Sequence, residues 1–123
     1  MRPIGYWLRE LDRRLELAFA EALSASGATR REWQVLNGLG PDAPFWVAGE
    51  PTYADVVSSL TARGWTTPDG TVTETGAAAR SALAKSVEEI RAKSLTGVED
   101  DSYLVTVRTL ELMAANLPAG GHG

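Results

Sequence analysis

The side chains of this sequence with the means to act on a partner are hydroxyls and guanidinium groups. Thr52, Tyr53, Ser58, Ser59 and Arg63 fall within one short stretch, GEPTYADVVSSLTARGW (residues 49–65), and Arg30 and Arg31 stand together upstream. Hydroxyls bond to base edges or to phosphate oxygens, and arginine neutralises phosphate. Thr52, Tyr53, Ser58 and Ser59 are therefore candidate base contacts, with Arg30, Arg31 and Arg63 as candidate phosphate contacts. The alternative is a solvated helix face and plain surface charge. Catalysis has little to stand on. The chain has no cysteine, and its one histidine, His122, lies in the tail AGGHG. A Ser–His or Cys–His arrangement therefore lacks a base, and no His/Asp/Glu cluster has metal-ligand spacing. Asp12 and Glu16 share a helix face at i,i+4 with nothing to mark either as buried. Glu99, Asp100 and Asp101 suit the start of a helix, where acids meet its dipole favourably. We expect no catalytic residue, no metal, no cofactor and no enzyme.

The aromatic residues are a second resource. Tyr6, Trp7, Phe19, Trp33, Phe45, Trp46, Tyr53 and Trp65 all lie in the first 65 positions. Trp33 and Trp65 fall on the inward side of their elements and read as core. Tyr6, Trp7, Trp46 and Tyr53 are the candidates to line an apolar pocket, with core or dimer packing as the alternative.

The elements that must position these groups are mostly helical. Apolar residues recur at Ile4, Trp7, Leu8, Leu11, Leu15, Ala18, Phe19 and Ala22, a stripe of about five turns that Gly27 ends. Thr29 and Glu32 form a capping-box pattern that opens a short helix carrying Trp33, Leu36 and Leu39. GLGPDAPFWVAGEP, residues 38–51, reads as loop, with Phe45, Trp46 and Val47 anchoring it. The next helix has Pro51 in its first turn, Gly64 as its stop, Val56, Val57 and Leu60 inward, and Thr52, Asp55, Ser58, Ser59 and Arg63 outward. Two short β-prone arms flank Pro68-Asp69-Gly70, a tight hairpin signal. Thr73 caps a long helix with Ala79, Leu83, Val87 and Ile90 inward. A break at Thr96-Gly97 leads to a last helix with Tyr103, Leu104, Val107, Leu110, Met113, Ala114 and Leu117.

A short capped helix, then a helix feeding a tight hairpin, describes a winged helix-turn-helix. The terminal helices carry more apolar surface than a small central lobe can cover, which predicts a two-fold homodimer. Ile4, Leu8 and Leu11 at one end, with Leu104, Val107, Leu110 and Met113 at the other, are its expected contacts. The fold class is therefore mainly α with a small β-hairpin. We draw one domain over 1–117, with dimerisation helices at 3–25 and 98–117, a winged lobe at 29–75 and a disordered tail at 118–123.

The totals fit a globular chain. Its 123 residues are 44% hydrophobic and 23% charged, with a net charge of −4. No apolar run approaches the roughly 18 residues of a membrane span, and no export signal is visible. A cytoplasmic setting without membrane contact is expected. The charge is uneven: residues 32–79 hold one basic side chain, Arg63, against Glu32, Asp42, Glu50, Asp55, Asp69 and Glu74.

Five stretches occur in the order of a known family: PIGYWLRELDRRLELAF, TRREWQVLNGL, LTARGW, VTETGAAAR and SYLVTVRTLELMAANL. Across about residues 3–117 the chain resembles the MarR family of bacterial winged-helix regulators, and particularly a short actinobacterial type. The resemblance implies a dimer held by the terminal helices, a central lobe that binds duplex DNA, and a pocket for a small apolar or aromatic ligand between lobe and dimer interface. A cytoplasmic transcriptional regulator is the expected function. A dimer that has lost DNA binding and serves as a small-molecule-binding or protein-interaction module is the alternative, with a repurposed enzyme the least favoured form of it. Two features depart from the family pattern. The Pro-broken segment at 38–51 replaces a full helix, and the turn Pro68–Thr71 has no basic tip.

Overall fold

A computed structural model describes residues 1–118; the expected tail beyond Pro118, with His122, lies outside the described residues. The fold is mainly helical, with α1 at Ile4–Ala22, α2 at Arg30–Leu36, α3 at Tyr53–Ala62, α4 at Glu74–Ser94 and α5 at Asp100–Ala115. Contacts divide the chain into two compact units, residues 1–91 and residues from 92 onward.

In the first unit, local chemistry sets the helix limits. Thr29 and Glu32 close the expected capping box, each side chain bonding the other's backbone N–H. A second box, Thr52 with Asp55, opens α3. The start of α3 is therefore Thr52, and Pro51 lies before the helix rather than in its first turn. Both α2 and α3 end alike. The Leu39 N–H reaches Gln34 O at 2.9 Å and the Gly38 N–H reaches Val35 O at 3.0 Å; Trp65 and Gly64 repeat this onto Leu60 O and Thr61 O at 3.0 and 2.9 Å. This is the Schellman arrangement, which needs a left-handed residue after the cap. Gly38 and Gly64 supply it with φ of 103° and 78°.

The expected hairpin is narrower than its two arms suggested. Strand pairing between α3 and α4 reduces to one antiparallel bridge, Thr66 with Val72. The Gly70 N–H closes a turn onto Thr67 O at 2.9 Å, with Pro68 and Asp69 inside it. The Thr67 N–H donates to Thr71 O at 2.8 Å and the Thr73 N–H to Trp65 O at 3.0 Å, and the pairing ends there because α4 begins directly after Thr73. The Thr73 hydroxyl accepts the Gly76 N–H at 3.0 Å and donates to Gly64 O at 2.7 Å. The start of α4 sits hard against Trp65, so that a Cβ on buried Gly76 would lie 1.9 Å from Trp65 O.

Two apolar clusters fill this unit. Val35, Val56, Val57 and Leu60 form one, with Leu39, Trp46 and Tyr53 packed on it; Leu23, Ala28 and Leu83 form the other, with Phe19, Trp33 and Val87. Trp65 packs against both and joins them. The core roles expected for Trp33, Trp65, Val56, Val57, Leu60 and Leu83 agree with this. Residues 38–51 contain turns but no helix, as expected; Trp46 anchors the segment, whereas Phe45 and Val47 are about half exposed. The α1 stripe divides. Leu15, Ala18, Phe19 and Ala22 are half-buried, while Ile4, Trp7, Leu8 and Leu11 are exposed.

The second unit is built on α5, which follows a turn at Gly97 (φ 80°) and starts after Glu99 with Asp100 and Asp101 in its first turn. No residue of α5 is buried, and Leu110 alone is half-buried.

Candidate functional site

The α2–α3 head is assembled around one buried carboxylate. Glu32 is 3% exposed. Its Oε1 accepts the Thr29 N–H at 2.9 Å, and its Oε2 accepts the Ser59 hydroxyl at 2.8 Å and Arg63 Nε at 2.8 Å. Arg63 Nη2 adds a 3.2 Å bond to Oε1 and a 2.8 Å bond to Gly27 O, and Nη1 donates to Ser26 O at 3.1 Å. Burial pushes the Glu32 carboxyl up, but the bonds from Arg63, Thr29 and Ser59 outweigh it and hold the group below its ordinary value. The network ties α2, α3 and the turn after α1 into one body.

Thr52, Asp55, Ser58 and Ser59 are exposed, as expected for the outward face of α3, whereas Arg63 is half-buried. Arg63 turns inward onto Glu32 and lies 5.1 Å from the Trp65 ring centroid. Ser59 donates to Glu32. Thr52 Oγ1 accepts the Asp55 N–H at 3.1 Å, and the Asp55 carboxylate accepts the Thr52 N–H at 2.9 Å. Those bonds from Thr52 hold the Asp55 carboxyl below its ordinary value. Tyr53 is half-buried and meets Trp46 edge-on, with centroids 5.8 Å apart. Of the four candidate base contacts, Ser58 is the one whose side chain stays exposed without an internal bond. It lines an open groove of about 630 Å³ with Tyr53, Ala54, Val57, Thr61, Ala62, Pro68 and Asp69. That groove has no basic residue. The Asp69 carboxyl at its rim is held below its ordinary value by the Thr67 hydroxyl and then the Thr71 amide.

Arg30, Arg31, Arg80, Arg13 and Arg14 are also engaged. Arg30 Nη1 bonds Asp12 and Glu16 at 3.1 Å each, and its guanidinium lies 5.1 Å from the Phe19 centroid. Arg31 donates to Gln34 Oε1 at 2.8 Å and to Phe45 O at 3.5 Å, with the Phe45 and Trp46 centroids 5.5 and 5.4 Å away. Arg80 reaches Leu36 O at 3.4 Å. Arg13 and Arg14 share Glu10 on the exposed face of α1 and lower its pKa to about 2.

The four aromatic pocket candidates separate into two pairs. Tyr6 and Trp7 pack edge-on at 4.9 Å on α1, with the Arg2 guanidinium 4.5 Å from the Tyr6 centroid; Trp46 and Tyr53 form the other pair. Tyr6 and Tyr53 line different cavities. A third cavity, of about 720 Å³, was not foreseen. It opens between α1, α2 and the 38–52 segment, and its walls include Arg30, Arg31, Gln34, Phe45, Glu50 and Val56.

Sequence reasoning overlooked the second capping box, although T-Y-A-D shows the spacing. The Glu32–Arg63 pair spans 31 positions and left no local signal. Among the described residues no group of three or more His, Cys, Asp or Glu is placed to hold a metal, and no helix is long and apolar enough to cross a membrane. No family model matches the chain, and it matches neither a curated protein nor a solved structure.

Proposed function

We propose that the protein is a homodimeric transcriptional regulator of the winged-helix, MarR-like kind, with no catalytic activity, that meets duplex DNA through α3 and the turn at 66–72. The observation that carries this reading is the α2–α3–turn body. A short capped helix is locked to a second helix by Glu32, Ser59 and Arg63, and that helix runs directly into a bridged turn. A reading head needs this fixed angle between helices to hold register on a duplex. Support for the dimer comes from helix faces that a soluble protein does not leave bare. Ile4, Trp7, Leu8 and Leu11 are exposed on α1, and Leu104, Val105, Val107 and Met113 on α5.

A second reading, a dimer that binds a small molecule or another protein instead of DNA, is favoured by the arginines. Arg30, Arg31 and Arg63 all have partners inside the molecule, and Arg63, the one basic residue of 32–79, is neutralised by Glu32. Most duplex affinity comes from neutralised phosphates. One experiment separates the readings: fluorescence anisotropy of a labelled duplex taken from upstream of the protein's own gene, at about 50 mM and about 200 mM salt. The regulator gives saturable binding at low salt that weakens at the higher concentration. No binding at low salt overturns it in favour of the second reading.

A further inference from the structure

We propose that the cavity of about 720 Å³ between α1, α2 and the 38–52 segment binds a zwitterion, a free amino acid with a large apolar side chain. The charges around the cavity carry the argument. Arg30 is compensated by Asp12 and Glu16. Arg31 is not: its two hydrogen-bond acceptors, Gln34 Oε1 and Phe45 O, are neutral. Among the described residues its guanidinium has no carboxylate within ion-pair distance. Glu50, which lines the same cavity, likewise has no cation on its carboxylate. Arg31 and Glu50 are thus the two charged groups of the cavity that stand outside an ion pair, beside Arg30, which shares its charge with two carboxylates.

The rest of the wall combines polar Thr29 and Gln34 with an apolar surface. Phe45 and Val47 leave about half of their surfaces uncovered beside Pro44, Pro51 and Val56. A plain acid satisfies Arg31 and leaves Glu50 facing an apolar ligand; a plain amine does the reverse. An α-amino acid answers both, with its carboxylate on Arg31, its ammonium on Glu50 and its side chain on the Phe45–Val47 surface. The volume lies in the range of small-molecule sites. This site is independent of duplex binding and is tested without DNA.

The test is titration calorimetry on the full chain with three probes: L-phenylalanine, 3-phenylpropanoate, which lacks the ammonium, and 2-phenylethylamine, which lacks the carboxylate. L-Phenylalanine is expected to bind roughly tenfold or more tighter than either analogue, the worth of one charge-assisted bond. Glu50→Gln, a change at an exposed position, is expected to bring L-phenylalanine to the affinity of 3-phenylpropanoate and to leave the latter unchanged. Equal binding of 3-phenylpropanoate and L-phenylalanine by the unaltered protein overturns the proposal, as does equal binding of 2-phenylethylamine. Absence of heat with all three probes at millimolar concentration does so too.

Discussion

Replacing Arg63 by methionine tests the reading of the α2–α3 head most directly. The change keeps an unbranched side chain to pack on Trp65 but removes the counter-charge of Glu32, which is 3% exposed. It also strips the bonds to Ser26 O and Gly27 O. Breaking a buried ion pair from one side costs about 3–5 kcal/mol, and the partial exposure of Arg63 lowers that to about 2–4 kcal/mol. For a unit of this size the corresponding fall in Tm is roughly 10–20 °C. The pH dependence makes the test specific. In the unaltered protein Glu32 has a lowered pKa. Its contribution is therefore complete above the ordinary carboxylate pKa and is lost as pH falls through the lower folded value. Once Glu32 is protonated it needs no counter-charge, so the penalty of Arg63→Met should shrink on acidification. Urea unfolding followed by circular dichroism at about pH 7 and about pH 4 measures both quantities. A penalty under about 0.5 kcal/mol, or one independent of pH, would refute the view that Arg63 is an internal counter-ion.

Further outcomes follow from the caps, the close contacts and the bare helix faces. Thr52→Ala should destabilise by about 1 kcal/mol, as loss of a cap usually does, and thermal unfolding should show it; no change would mean that the Thr52–Asp55 box is idle in solution. Gly76→Ala should be far more damaging than its small size suggests, by about 3 kcal/mol or more, because its methyl group meets Trp65 O at 1.9 Å. A thermal midpoint within a degree or two of the parent would show that α4 does not approach Trp65 so closely. Leu8→Glu with Leu11→Glu alters two exposed side chains of α1 and should leave the helical circular dichroism signal intact while converting a dimer to monomer in sedimentation. A parent protein that sediments as a monomer would remove the dimer from the proposal.

Ser58 and Arg63 show how much of the candidate site was legible. Both stand on the polar side of α3, and a helical projection assigns them alike. The projection places Cα atoms correctly, but the long Arg63 side chain folds back at the helix end to reach a carboxylate 31 positions away. Ser59 makes the same choice on a shorter tether. Thr52 is an outward hydroxyl whose spacing to Asp55 already announces a cap.

What the chain determines by itself is local. Apolar periodicity marks the inner faces of α3 and α4 and of the second half of α1, because a helix must bury one stripe. Thr29–Glu32, Thr52–Asp55 and Thr73 start helices, and Gly38 and Gly64 end them, because backbone donors and acceptors at helix ends need partners within a few residues. What the tertiary structure alone decides is which charges survive to the surface. Glu32 takes Arg63, Asp12 and Glu16 take Arg30, and Arg31 is left between two rings with neutral acceptors. Electrostatic pairing depends on distance through space, which composition and spacing along the chain do not encode. The three arginines that the sequence offers alike as phosphate contacts are therefore three different chemical environments in the fold.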